Sequence, residues 1–421
     1  MKNLNIDEIY GLYLSHPRIC TDTRNIIPDS LFVCLKGANF DGNQFATAAL
    51  EQGAAYVVTE DESLAAEPRY IVVNDALDTL QQLGAFHRQR LTIPVIGITG
   101  TNGKTTTKEL TSAVLSQRYR IAFTQGNLNN HIGVPLTLLA IKPSDEIAIV
   151  EMGANHPGEI AALCRIARPN FGLITNIGKA HIEGFGSVEE IIHTKKALYE
   201  SVMSDSGILF VNKNDATLCA DLHYSKTVYY AEDSSNRIAD MSPYLSVTIG
   251  GTLVNTRLTG GYNLDNILAA AAVGRHFGVS QAETARAIGQ YTPANHRSQV
   301  IRHKGNTIIA DYYNANPTSM EAALRNLASI RHPRKLAILG DMRELGAISG
   351  EEHRRIIALC QQLDIPAVYV GPEFCFQHPC RCYADVESLN RALAEQPVCD
   401  TMILVKGSNA MHLDRLSAIL P

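Results

Sequence analysis

Residues Ile93-Pro-Val-Ile-Gly-Ile-Thr-Gly-Thr-Asn-Gly-Lys-Thr-Thr106 constrain this chain more than any other stretch. Ile93 to Ile98 is a short β-branched apolar run, the composition of a strand buried on both faces of a parallel sheet. Thr99 to Gly103 reads as a turn, and the sequence from Lys104 through Thr105 to about Arg118 as a helix. Strand, glycine turn and helix together make a phosphate cradle. Backbone N–H groups and the helix N-terminus face the anion, Lys104 reaches the terminal phosphates, and the Thr105 hydroxyl suits Mg²⁺. The usual spacing puts a glycine five positions before Gly103, where this chain has Ile98; Gly97 and Gly100 flank that place.

A chain of 421 residues predicts two or three domains, each able to bury its own core. The net charge of −5 gives no reason to expect a nucleic-acid partner held by bulk electrostatics. No apolar stretch reaches membrane-spanning length, and the N-terminus lacks the basic and apolar regions of a signal peptide. Nine scattered cysteines, of which Cys380 and Cys382 are the closest pair, predict free thiols in a reducing cytoplasm and no zinc site.

The predicted fold class is α/β in three domains: a small α/β N-terminal domain (1–90), a central P-loop parallel-sheet ATPase domain (91–295) and a C-terminal Rossmann-like domain (296–421). In the first, Leu31 to Leu35 and Ala55 to Thr59 read as strands, and Phe45 to Gln52 and Thr79 to Arg90 as helices. The polar loops Thr21-Asp-Thr-Arg24 and Lys36-Gly-Ala-Asn-Phe-Asp-Gly-Asn43 lie at strand ends, as ordinary loops or as ligand loops. In the central domain Glu146 to Val150 ends at Glu151, and Asn170 to Thr175 leads to a loop containing His181. Ligands of open α/β sheets sit beyond the carboxyl ends of the strands, so Thr105, Glu151 and His181 fall in one crevice and suggest a metal site.

Ser187-Val-Glu-Glu190 reads as a capping box. In the helix it opens, Val188, Ile191, Ile192, Leu198, Tyr199 and Val202 share one apolar face, with Lys195 at its middle and Lys196 at its border. A lysine there is paired, snorkelling, or deprotonated and modified; reaction with CO₂ would give a carbamate able to hold hard cations. Asn263 and Asn266 open an alanine-rich helix (Ile267 to His276), either bracing it or reading a base edge. In the last domain Thr307–Ala310, Lys335–Leu339 and Met402–Val405 read as strands, leading to Asp311-Tyr-Tyr-Asn-Ala-Asn-Pro-Thr318, Gly340-Asp-Met-Arg-Glu-Leu-Gly346 and Lys406-Gly-Ser408. The third loop, placed before a last helix, would suit a carboxylate or phosphate, or be merely basic.

Thr99-Gly-Thr-Asn-Gly-Lys-Thr-Thr106 resembles the ATP loop of the Mur ligases, the ATP-dependent amide-forming enzymes of peptidoglycan precursor synthesis. That family accounts for the glycine spacing, and the resemblance spans essentially the whole chain. Glu151-Met-Gly-Ala-Asn-His-Pro-Gly-Glu159, Asp311-Tyr-Tyr-Asn-Ala-Asn-Pro317 and Leu339-Gly-Asp-Met-Arg-Glu-Leu-Gly346 are similar to the member that joins D-alanyl-D-alanine to UDP-N-acetylmuramoyl-tripeptide. The Asp-Asn-Pro-Arg-type motif expected of the diamino-acid-adding relative is not found in the C-terminal domain.

The resemblance implies ATP and Mg²⁺ as cofactors, those two substrates as partners, and a monomer. It places Gly100, Thr101, Asn102, Gly103, Lys104, Thr105 and Thr106 around the phosphates, with Asn266, Arg297, Asp311, Asn314 and Asn316 completing the nucleotide pocket. Thr105 and Glu151 would hold one Mg²⁺, and His181 with carbamylated Lys195 a second. Thr23, Arg24, Asp41 and Gly42 would hold the UDP-sugar, Asn129 and Asn130 would reach nucleotide or substrate, and Lys406 and Ser408 would serve the substrate end. Another Mur-type or folylpolyglutamate-type ligase, or an ATP-binding module without ligase activity, is the alternative.

Overall fold

The computed structural model describes residues 4–231, 233–377 and 382–421. Its centre is a six-stranded, wholly parallel sheet in the order Thr227–Tyr230, Ile208–Asn212, Phe171–Ile174, Val95–Thr99, Ile147–Glu151, Ile121–Phe123. Alternation along Val95–Thr99 divides the core: Ile96 and Ile98 join one apolar cluster with Leu110, Phe210 and Ile267, and Val95 joins the other with Val150, Ile174 and Leu198. Val95–Thr99 comes first in the chain; the next strands are laid down on one of its sides and the later ones on the other, so the phosphate loop sits where the connections diverge, the usual place of a ligand crevice.

Gly97 serves this packing. A Cβ there would lie 2.9 Å from Leu198 Cδ1 and 3.1 Å from Pro169 Cβ. Its hydrogen therefore lets the Val188–Ser204 helix lie close against the phosphate-loop strand, which brings Lys195 to the loop. Ser187 caps this helix by accepting the Glu190 N–H at 3.1 Å. The reciprocal half of the predicted box is not made, because the Glu190 carboxylate accepts from the Thr194 hydroxyl instead.

The amino-terminal sheet is parallel: Ile19–Cys20, Leu31–Val33, Tyr56–Thr59, Tyr70–Val72. The carboxy-terminal sheet runs Gln299–His303, Asn306–Asp311, Met402–Lys406, Lys335–Gly340, Ala367–Val370, Cys382–Tyr383, antiparallel only at its first pair. A small antiparallel sheet (Arg237–Asp240, Ser246–Ile249, Thr252–Asn255) has no counterpart in the expected alternation of strands and helices. The helix expected after Ser408 is also replaced. Two three-residue 3₁₀ turns, Asn409–Met411 and Leu413–Arg415, stand there, separated by His412 in a left-handed conformation (φ 51°) that no continuing helix accepts.

The expectation of free thiols fails at one pair: Cys375 and Cys382 form a disulfide, with Cα atoms 5.2 Å apart. Cys380 lies outside the described residues. Among the described residues no helix is long and apolar enough to cross a membrane.

Candidate functional site

The phosphate loop is braced from three sides. Thr101 N–H donates to the Asn176 carbonyl (2.9 Å), and Asn102 N–H to Asn176 Oδ1 (3.0 Å). From the last domain, Asn316 Nδ2 donates to Asn102 Oδ1 at 2.8 Å, while Asn316 Oδ1 caps the Pro317–Ser329 helix through Ser319 N–H. Gly103 has φ +81°, and a Cβ on it would sit 2.4 Å from Asn266 Oδ1, so neither the conformation nor the space admits a side chain. Asn266 accepts from the Thr107 hydroxyl (3.0 Å) and donates to Asn263 Oδ1 (2.8 Å). Of the two readings given to this asparagine, bracing is what its hydrogen bonds do.

The helix that follows is Lys104–Leu115. Lys104 Nζ folds back onto the carbonyls of Gly100 (2.7 Å) and Thr101 (3.1 Å), and burial pushes its ammonium down to about 8. Thr105 donates from Oγ1 to Glu151 Oε1 at 3.2 Å, and Asn129 Nδ2 donates to the same oxygen at 2.8 Å. Glu151 is 1% exposed and its Oε2 has no hydrogen-bond partner; Lys108 Nζ lies 3.6 Å away. Lys108, also 1% exposed, is fixed by the Thr124 carbonyl at 2.7 Å. A buried carboxylate with an open oxygen beside a threonine hydroxyl is a donor set that fits a hard divalent cation.

Lys195 is 3% exposed. Its Nζ reaches the Gly100 carbonyl at 3.3 Å and lies 5.9 Å from the Phe185 ring. Burial, and then the Lys104 charge, lower it to about 7. Lys196, at the border of the same helix face, instead donates to the Ala220 carbonyl. His181 is held at φ 53° with Nδ1 against the Glu344 carboxylate of the last domain, and that contact holds Glu344 below the usual carboxylate range.

A cavity of about 970 Å³ joins these groups. Its wall includes Thr101 to Lys104, Thr106, Asn129, Asn130, Glu151, His181 and Asn266 from the centre, and Arg297, Asp311, Asn314, Asn316 and Lys406 from the last domain. Arg297 stacks on the Tyr313 ring at 3.8 Å. The cavity extends past His131 to Gln81 on the Ala76–Arg90 helix of the first domain. Gly100, Thr105 and Lys195 lie just behind the wall.

Several expected binding residues have structural employment. Lys406 is 2% exposed; its Nζ pairs with Asp311 Oδ2 at 2.7 Å and donates to the Asn314 carbonyl at 3.2 Å. Ser408 Oγ accepts the Arg343 N–H at 2.9 Å and is likewise buried. Both therefore hold loops here, and Lys406 also lies on the cavity wall. Asn130 Oδ1 accepts the Gly133 N–H at the start of the Gly133–Leu139 helix at 2.9 Å. Thr23, Arg24, Asp41 and Gly42 stand apart from this cavity in the first domain. There Arg24 is paired with Asp22 at 2.9 Å, and Asp41 accepts the Asn43 N–H at 2.9 Å.

Sequence reasoning missed Lys108 and gave Glu344 no role. Lys108 was findable, since it lies one helical turn past Lys104 on a helix whose start faces the strand ends. Glu344 had no local signal beyond its motif, because its partner is 163 residues away in sequence.

Sheet order, braced glycine loop and shared cavity define the class: a three-domain α/β protein built around a phosphate-cradle loop. Three family models match it: "Mur ligase family, catalytic domain" over residues 18–94, "Mur ligase middle domain" over 98–274, and "Mur ligase, glutamate ligase domain" over 296–409. UDP-N-acetylmuramoyl-tripeptide–D-alanyl-D-alanine ligase of Bacillus subtilis is 35% identical, covering 98% of this chain and 96% of that protein. The Escherichia coli protein of the same name is 32% identical over 97% and 94%. Among solved structures, MurF from Acinetobacter baumannii superposes with a TM-score of 0.82 at 30% identity, covering 95% of this chain and 92% of that one. MurF of Thermotoga maritima in complex with ADP gives 0.83 at 28% identity, covering 96% of each. The chain belongs to the Mur ligase family.

Proposed function

We propose that this chain joins D-alanyl-D-alanine to UDP-N-acetylmuramoyl-tripeptide at the expense of ATP, releasing ADP and phosphate. The observation that carries the reading is the single cavity in which Lys104, Glu151, His181 and Arg297 meet, in a chain whose relatives over nearly full length bear that activity in their names.

A carboxylate is a poor electrophile, and it repels a triphosphate. Lys104 and Arg297 supply positive charge where the γ-phosphate must approach the tripeptide carboxylate, and the N–H groups of the first turn of the Lys104–Leu115 helix would hold the phosphates in line. Thr105 and Glu151 would hold one Mg²⁺, whose chemistry is to neutralise charge and polarise the transferred phosphoryl group. His181 and Lys195 would serve a second. For that, Lys195 must first become a carboxylate. Its desolvated Nζ is about half neutral at pH 7, its lone pair adds to the carbon of CO₂, and the proton leaves to water. Transfer of the γ-phosphoryl group gives an acyl phosphate. The dipeptide amine then attacks the acyl carbon and gives up a proton to water, and phosphate leaves from the tetrahedral intermediate. The Asp311–Asn316 loop, tied to the phosphate loop through Asn102, carries the last domain's share of the pocket into place. The UDP end would lie on the first domain at Thr23, Arg24, Asp41 and Gly42, with the peptide running along the cavity past Asn129.

The test is phosphate release with ATP, Mg²⁺, the UDP-tripeptide and the dipeptide, omitting each in turn. Release that requires both acceptor and amine, with pentapeptide product by mass spectrometry, is expected. Release that ignores the dipeptide, or needs a different amine, overturns the substrate assignment.

A further inference from the structure

Gly340-Asp-Met-Arg-Glu-Leu-Gly346 is left without a task by the phosphate and metal roles above. The structure holds this loop firmly from its own domain. Asp341 is buried and accepts the N–H groups of Glu373 and Phe374, each at 3.0 Å. Met342 N–H donates to His353 Nε2 at 3.1 Å, and Arg343 N–H to Ser408 Oγ at 2.9 Å. Glu344 then takes φ +64°, a left-handed conformation that a non-glycine residue adopts when its surroundings impose it. Its side chain crosses the domain boundary to His181 Nδ1. His181 is itself left-handed at φ +53°. Two further contacts close the same seam: Glu183 N–H to the Glu344 carbonyl at 3.5 Å, and Lys179 Nζ to Glu352 at 3.9 Å.

A histidine that ligates a metal generally donates its other ring N–H to a carboxylate or carbonyl, and that partner fixes which nitrogen is free. Here the carboxylate comes from a different domain. We infer that Glu344 is a positioning residue: by accepting the Nδ1 proton of His181 it selects the tautomer whose Nε2 lone pair is open to a cation, and it does so only while the C-terminal domain is docked. Docking thereby completes the metal site through a hydrogen bond, and an undocked domain leaves His181 free to rotate and to place its proton on either nitrogen. The inference rests on the reading of His181 as a ligand for Mg²⁺.

The test uses full-length protein with ¹⁵N-labelled histidine under mildly alkaline conditions, with and without Mg·ADP, and His181→Asn to assign the signal. Wild type with Mg·ADP is expected to show a protonated Nδ1 and an unprotonated Nε2 at His181. Glu344→Ala should shift this signal toward the Nε2–H tautomer that water favours. It should also raise the Mg²⁺ concentration for half-saturation of the Mg²⁺-induced change in the His181 signal about 10–100-fold, while metal-free ADP binding stays as in wild type. Glu344→Gln keeps an accepting oxygen, so its shift is smaller, below about 10-fold; it also stands in should the alanine variant not fold. Unchanged imidazole signals and unchanged Mg²⁺ dependence in Glu344→Ala overturn the inference. So does an opened molecule in small-angle scattering with both of those readouts intact, since Glu344 would then be a latch and no more. These readouts do not involve the dipeptide, so failure of the ligase assignment shows in the product assay and failure of this inference shows in the imidazole signals.

Discussion

Substituting Lys108 by methionine tests the electrostatics beneath the phosphate loop. The ammonium and the Glu151 carboxylate are 3.6 Å apart, both side chains are 1% exposed, and Glu151 Oε2 has no hydrogen-bond partner. Methionine fills nearly the same volume, so little is lost in packing. What is lost is the counter-charge, together with the bond to the Thr124 carbonyl. Breaking a buried pair from one side typically costs about 3–5 kcal/mol, because the remaining charge stays buried and alone. Glu151→Gln strands Lys108 in the same way. The double variant strands neither, so its destabilisation should fall short of the sum of the singles by roughly 1–3 kcal/mol. The assay is urea unfolding followed by circular dichroism, the chain having no tryptophan to report. Additivity within about 0.5 kcal/mol would refute the coupling, and with it the view that Lys108 holds the Glu151 side chain in place.

The other expectations are briefer. Lys195 has a folded value near 7 against an ordinary 10.5, so between those values the unfolded chain binds the proton more tightly. Stability of the uncarbamylated protein therefore rises with pH across that window. Lys195→Met should abolish the rise, and in CO₂-free buffer at neutral pH should be more stable than wild type by roughly 2–4 kcal/mol, while product formation is lost. A parallel pH–stability profile in the two proteins would sink this. Gly97→Ala forces a methyl against Leu198 and Pro169 and should destabilise by about 1–3 kcal/mol, measured by thermal unfolding with bound ADP and without. Asn316→Ala removes a helix cap, for about 1 kcal/mol, along with the bond to Asn102. Scattering should then show a more open molecule, and unaltered dimensions would mean that other contacts hold the docked state.

Three strands of the central sheet, Val95–Thr99, Ile147–Glu151 and Phe171–Ile174, were legible because they are apolar, short and followed by glycine or polar turns, the pattern a parallel sheet imposes; Ile121–Phe123, Ile208–Asn212 and Thr227–Tyr230 were not read. Lys195 was legible from helical geometry alone, since a charge at the middle of an apolar face is conspicuous. The small sheet at 237–255 was not, because its strands are half exposed and mix polar with apolar residues as loops do. The ion pair of Lys406 was hidden for a related reason: strand pairing sets this lysine opposite Asp311, a neighbour 95 residues away. Asn266 was legible as important but not as to its task, which depends on the space left by Gly103. Groups at strand ends could be brought together from the sheet rule alone, as Thr105, Glu151 and His181 were; pairs such as Lys406 with Asp311 and His181 with Glu344 could not, because no local pattern marks them.

The bond between Asn102 and Asn316 spans 214 residues of sequence. On a ribosome, the phosphate loop and its sheet emerge and fold well before the last domain exists. At about 5–20 residues per second, completing the final 120 or so residues takes roughly 6–24 seconds. Throughout that interval the nascent chain has a nucleotide cradle without Arg297's neighbours, Asn316 or Glu344. Because the site is divided between early and late parts of the chain, its cradle is made before the groups that Asn316 and Glu344 add to it.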